Sequence, residues 1–97
     1  PETDHCEAIV LVKPQFEVGR QRVGKGGVVR EPAAHVDAIT AVIEAACLIG
    51  WNPSGLVASP LTGPAGNHEY LLWLTSQVDQ AFTNHTIDRV VSDTLSG

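Results

Sequence analysis

The sequence predicts an α/β fold: a strand, a crossover helix and a second strand make a βαβ unit, and a third strand runs back antiparallel beside the first. Three observations carry this. Two continuous apolar runs, Ala8 to Val12 and Tyr70 to Leu74, have the length and β-branched or aromatic character of strands buried on both faces. Between them lies one segment with a 3.6-residue apolar period, which reads as a helix. A short apolar stretch at Leu56 to Ser59 is set between turn residues and supplies the second strand of the unit.

In order along the chain, residues 1 to 6 read as a polar lead-in and residues 7–13 as the first strand, stopped by Lys13-Pro14. Residues 14–30 hold Gly19, Gly24, Gly26 and Gly27 with four basic residues and show no period, so they read as a long basic loop; such loops in small domains are usually functional or disordered. Glu31-Pro32 opens a helix over 32–49, because proline suits the first helical position and acids favour the positive end of the dipole. Its stripe is Val36, Ile39, Val42 or Ile43, Ala46 and Ile49, with His35, Asp37, Thr40 and Glu44 off it, and Gly50 is its C-terminal cap. Strands follow at 55–59 and 69–75, joined by the turn-rich Pro60 to His68. The polar tail has room for short helices at Ser76 to Phe82 and Ile87 to Leu95.

This order brings distant residues to one place. Parallel first and second strands point their C-terminal ends to one edge of the sheet, and the antiparallel third strand begins there. Lys13 ends the first strand and Glu69 opens the third, so both belong to the carboxyl edge, where open α/β sheets bind ligands. A lysine set against five apolar residues and followed by proline is no ordinary solvated charge; it is a candidate for tuned proton transfer, with Glu69 as its partner.

The chain has 97 residues and a mass of 10.3 kDa, which allows one domain and excludes a two-lobed enzyme. Apolar residues make up 43% and charged residues 18%, a globular balance rather than a disordered or coiled-coil one. The apolar runs fall far short of the roughly 20 residues that span a bilayer. No charged-then-apolar leader opens the sequence, so a cytoplasmic location is the default expectation, although a start at Pro1 suggests that something upstream is missing.

Net charge is -5, which argues against broad binding to nucleic acid, but the distribution is uneven. Lys13, Arg20, Arg22, Lys25 and Arg30 crowd into one segment with only Glu17 among them, while Arg89 alone faces the other ten acids. Other patterns carry less. Gly19 to Gly26 nearly spells a phosphate-binding GxxxxGK[ST], yet Gly26 has no hydroxyl for magnesium and Gly27-Val28-Val29 does not begin a helix. The four histidines, one per segment, read as surface residues, and Trp51 and Trp73 as packing residues. Cys6 and Cys47 form no metal-ligand pattern and read as buried or half-buried thiols. Asn84-His85-Thr86 matches the glycosylation pattern at chance level.

Three stretches taken together, Val12-Lys13-Pro14-Gln15-Phe16-Glu17-Val18-Gly19, Gly24-Lys25-Gly26-Gly27-Val28-Val29-Arg30, and Ser59-Pro60-Leu61-Thr62-Gly63-Pro64-Ala65-Gly66-Asn67-His68-Glu69-Tyr70, resemble the haemolysin-like TlyA family of FtsJ-type methyltransferases. The likeness runs from about Ile9 to Leu74. It implies the C-terminal part of a Rossmann-like methyltransferase sheet with an antiparallel last strand, and S-adenosylmethionine-dependent methylation of ribose 2′-hydroxyls in ribosomal RNA. The family carries a catalytic Lys-Asp-Lys-Glu set; by motif position Lys13 resembles its second lysine and Glu69 its glutamate. The first lysine, the aspartate, the cofactor-binding glycines and an S4-like RNA-binding domain would all precede Pro1, so ribosomal RNA and the missing N-terminal part of the same protein are the implied partners.

In the implied reaction Lys13 removes the ribose proton. Free lysine titrates near ~10.4, so the base needs desolvation or a neighbouring like charge, and Glu69 would orient it and neutralise the lysinium that forms. Arg20, Arg22, Lys25 and Arg30 would hold phosphates, contacts that position RNA without reading its sequence. The rival is a non-catalytic RNA- or protein-binding module built on the same loop. A membrane-lytic role, suggested by the family's name, lacks the cationic amphipathic helix it would need: residues 32–49 carry Asp37 and Glu44 and no Lys or Arg.

Overall fold

In a computed structural model, which describes residues 5–96, the first apolar run forms β1 (Glu7–Val12). Residues 1 to 4 of the expected lead-in lie outside the described residues. After β1 come α1 (Pro14–Glu17), two 3₁₀ turns at Arg20–Arg22 and Lys25–Gly27, α2 (Pro32–Leu48), β2 (Asn52–Ala58), a third 3₁₀ turn at Pro64–Gly66, β3 (Tyr70–Thr75) and α3 (Asn84–Ser96). The sheet order is β1-β3-β2, and both outer strands run antiparallel to β3. β1 and β2 are therefore parallel to each other across the strand that follows them in sequence, which is the βαβ unit with its returning strand.

One face of this sheet meets the helices. Val12, Leu56, Tyr70, Leu72 and Leu74 pack with Ala38 and Ile39 of α2 and with Ile87 and Val91 of α3. Each buried Val, Leu or Ile among them contributes roughly 1.5–3 kcal/mol relative to exposure. The other face is open: Ile9, Leu11 and Val57 remain 55%, 45% and 46% exposed. The expectation of strands buried on both faces thus holds for one face only. Ala8, Val10 and Val12 point inward and Glu7, Ile9 and Leu11 outward, because the side-chain period of a strand is two and the helices among the described residues pack on one face.

Several boundaries differ from those the sequence suggested, each for a local reason. The basic loop is partly ordered: Pro14 starts α1, where its fixed φ suits the first helical position, and the 3₁₀ turns fold the rest. β2 begins at Asn52 rather than 55, taking in Pro53 and Gly55 across a register shift; an edge strand tolerates a proline that a central strand would not. Ser76 to Phe82 forms no helix, and the last helix is longer than expected. Both thiols are exposed rather than buried. His35, placed off the apolar stripe by the sequence, is fully buried, whereas Ile49 is exposed.

α2 ends on Gly50 as expected. Gly50 has φ 93°, its N–H bonds Cys47 O at 3.1 Å, and the Trp51 N–H bonds Ala46 O at 3.0 Å, the paired bonds of a Schellman cap. Apart from Gly50 itself and its two chain neighbours, no atom lies within 4 Å of the place a Cβ would occupy, so a side chain there meets only backbone strain. Gly50→Ala is expected to lower stability by about 1–2 kcal/mol, and Gly50→Asn by less, since asparagine tolerates the left-handed region. Chemical denaturation of the two variants tests this; equal stability of wild type and the alanine variant would refute it.

Candidate active site

Val12 faces Tyr70 in the β1–β3 ladder, and Tyr70 faces Ala58 in the β2–β3 ladder. Lys13 and Glu69 are the next residues outward from the first pair, so the structure brings both predicted residues to one edge. They form no ion pair among the described residues. The half-buried Lys13 turns its ammonium over the Phe16 ring, 5.8 Å from the centroid, a cation–π contact supplied by the turn of α1. Glu69, only 6% exposed, accepts a hydrogen bond from Gln15 Nε2 at 2.7 Å. A Cβ built on Gly63 would overlap the Glu69 carboxylate, so glycine is required there for the acid to sit where it does.

The basic loop returns to this edge through a polar clamp that sequence reasoning did not identify. Asn67 Oδ1 accepts from the Val29 N–H at 2.9 Å, while its Nδ2 donates to Gly27 O at 2.8 Å and to Pro64 O at 2.9 Å. The Val29 carbonyl lies 2.8 Å from His35 Nε2, and His35 Nδ1 lies 2.8 Å from the Tyr70 hydroxyl. A carbonyl only accepts, so Nε2 carries the proton and the neutral ring accepts at Nδ1 from Tyr70. Both polar groups of Val29 are thereby held, one from the loop before β3 and one from α2. The clamp fixes the spacing of the basic loop from Glu69. Its one sequence signal is spacing: His35 lies four residues before Ile39, on the same helix face.

Burial is the main cause holding the His35 pKa below its ordinary value; nearby His68 acts in the same direction and the bond to Val29 opposes it. Burial also pushes the Tyr70 phenol up to about 12, with the Thr94 hydroxyl opposing, so the hydroxyl stays protonated as a donor. The loop before β3 is bent to fit. Ala65 adopts φ 60° and Gly66 φ 83°, a left-handed pair that lets the Gly63 N–H reach Asn67 O at 2.7 Å.

The four loop bases are not equivalent. Arg22 is held by acids at the start of α2, with Nη1 2.6 Å from Asp37 Oδ2 and Nε 3.6 Å from Glu31 Oε1. Arg30 folds back on its own loop, donating to Lys25 O at 2.9 Å. Arg20 and Lys25 are exposed and carry no ion pair among the described residues. Two of the four are therefore available to an incoming anion, and two order the loop that presents them.

The profile of the FtsJ-like methyltransferase family matches residues 1–76. The chain is 44% identical over 91 residues to the 16S/23S rRNA (cytidine-2′-O)-methyltransferase TlyA of Mycobacterium tuberculosis, covering 94% of this chain and 34% of that protein. It is 42% identical to YqxC of Bacillus subtilis, named as a candidate rRNA methyltransferase, covering 90% of this chain and 32% of that one. A solved structure of a candidate hemolysin from Streptococcus thermophilus superposes with a TM-score of 0.83 at 34% identity, over 97% of this chain and 34% of that one. A second, from Lactococcus lactis, gives 0.79 at 36% identity, over 91% and 42%. The chain thus spans about a third of the length of the curated relatives it matches.

The clamp yields a prediction in acid. The folded His35 pKa is depressed, so below the ordinary value of 6.5 the unfolded chain binds a proton that the folded chain resists. Stability from this group is full above 6.5 and is lost as the pH falls through the folded value. His35→Gln is expected to be less stable at neutral pH, by about 1–3 kcal/mol for unpaired buried partners, yet to lose less stability on acidification. Exposed His5, raised by its bond to Glu7, acts with the opposite sign in both proteins and cancels in the comparison. Identical acid slopes for wild type and variant would remove His35 from this role.

Proposed function

Because the chain belongs to the FtsJ-like methyltransferase family, we propose that it is the C-terminal part of the catalytic domain of an S-adenosylmethionine-dependent enzyme that methylates ribose 2′-hydroxyls of ribosomal RNA. The observation that carries this reading is the convergence of Lys13, Glu69 and the basic loop on one sheet edge. Lys13 takes the proton of the attacking hydroxyl, and Glu69 supplies the fixed negative charge beside the lysinium that forms. Exposed Arg20 and Lys25 hold backbone phosphates, while Arg22 and Arg30 keep the loop in shape.

S-adenosylmethionine finds no cradle among the described residues. The carboxylate at this edge is already bound by Gln15 and packed on Gly63, and no second buried acid stands there to hold a ribose. In this reading the cofactor is held by segments outside this chain. The molecule's surface supports such segments: the far edge of β1 is unpaired among the described residues, and the open face of Ile9, Leu11 and Val57 is apolar. A further apolar groove lies beside β1 between Val10, Val42, Ala46 and Trp51. Unpaired edges and apolar faces of this kind favour association, and here the partner is the rest of the same protein.

Several relatives and neighbours bear hemolysin names. Membrane lysis gains no support from the helices. Among the described residues none is long and apolar enough to cross a membrane, and α3 carries one base, Arg89, with two acids, Asp88 and Asp93, while burying Ile87 and Val91. A cytoplasmic site of action follows from the ribosomal substrate.

Two variants of the complete enzyme separate the roles. Lys13→Ala is expected to reduce the single-turnover rate at saturating RNA by ~10²–10⁴-fold with little change in RNA affinity. Arg20→Ala is expected to weaken RNA binding and lower its salt dependence by about one charge, with a near-normal saturated rate. If Lys13→Ala keeps its rate and loses affinity instead, Lys13 joins the phosphate-binding group and the non-catalytic binding module becomes the better reading.

A further inference from the structure

We propose that Gln15 is a positioning residue for Glu69, an inference that rests on the methyltransferase reading above. Glu69 is buried at an edge where it meets no cation among the described residues, yet its carboxylate is fixed on two sides, by Gln15 Nε2 at 2.7 Å and by the bare Cα of Gly63. An ionised carboxylate only accepts hydrogen bonds, so the amide must turn its NH₂ toward Glu69 and its oxygen away. That choice has a visible consequence: Gln15 Oε1 is buried without a partner. A buried unsatisfied acceptor is costly, and the opposite amide orientation would set oxygen against oxygen. The amide is therefore held by the carboxylate rather than by its own surroundings.

The chain path explains why this falls to Gln15. Lys13 is the N-cap of α1 and Gln15 lies in its first turn, so one short helix places both the base and the group that fixes its acidic neighbour. Any shift of α1 moves Lys13 and Glu69 together. Gln15 thereby keeps the two sides of the site in register although they come from β1 and β3.

The test is a double-mutant cycle in the complete enzyme, read as single-turnover methylation at saturating ribosomal RNA. Gln15→Met keeps length and removes the donor; it is expected to lower the rate by about 10²-fold, the scale of a small misplacement of a reacting group. In the Glu69→Gln background the same change is expected to alter the rate less than about two-fold, because residues acting as a unit are non-additive. Gln15→Asn, which withdraws the amide by one methylene, is expected to follow Gln15→Met and covers the case in which the latter misfolds. A rate within two-fold of wild type for the folded variants, or the same loss in both backgrounds, would overturn the proposal.

An NMR readout separates this from the fate of the wider reading. The side-chain amide resonances of Gln15 are expected to move when Glu69 is changed to Gln and to stay in place when Arg20 is changed to Ala. If the complete enzyme transfers no methyl group to RNA, the functional reading falls, and the amide resonances still decide whether Gln15 holds Glu69. Resonances indifferent to Glu69→Gln would overturn the proposal on their own.

Discussion

The double ladder along β3 sets the position of everything else in this molecule. Tyr70, Leu72 and Leu74 are buried against α2 and α3, and the same strand is hydrogen-bonded to β1 on one side and β2 on the other. The period of two makes this register stringent, since a slip of one residue would turn those three side chains to the open face. It would also carry Glu69 away from Gln15 and Gly63. Hydrophobic burial thus fixes the chemistry: the acid stands beside the end of β1 because three apolar neighbours can be buried in only one way.

Polar groups complete what the apolar register begins. The 3₁₀ turns of the basic loop bury little, and the segment is kept in shape by Asn67, His35, Arg22 and Arg30. Exposed ion pairs such as Arg22–Asp37 contribute little stability individually. The buried bonds to both polar groups of Val29 are the stronger constraint, because breaking either leaves a buried group without a partner. Loop, α2 and β3 therefore share one clamp at Val29, next to the edge that carries both Lys13 and Glu69.

Much of this arrangement was legible in the sequence. The apolar runs and the Pro32-to-Gly50 pattern identified the three strands and the main helix, and strand order alone placed Lys13 and Glu69 on one edge. The clamp was not legible, since His35 and Asn67 act through partners distant in sequence and a histidine on a helix gives no sign of a carbonyl waiting beside it. Pairing within the basic cluster was equally hidden: Arg22 and Arg20 look alike until α2 brings Asp37 to one of them. The open face was missed because an unbroken apolar run looks the same whether one layer or two cover it. Gln15 stood in a recognised motif, but only the orphaned Oε1 shows what holds its amide.

The sheet order has a consequence for how the molecule comes to be folded. β1 and β2 never touch through hydrogen bonds; the strand that joins them is the last of the three to be synthesised, with Glu7 waiting for Thr75. Until β3 emerges, neither outer strand has a partner on its inner side, and α2 has no finished surface to settle on. Every ladder contact of β1 closes a long loop, which slows assembly and prolongs the exposure of unpaired strands. Along that inner edge, β1 and the apolar Leu56-Val57-Ala58 end of β2 therefore stay without a strand partner until the residues up to 75 have been made.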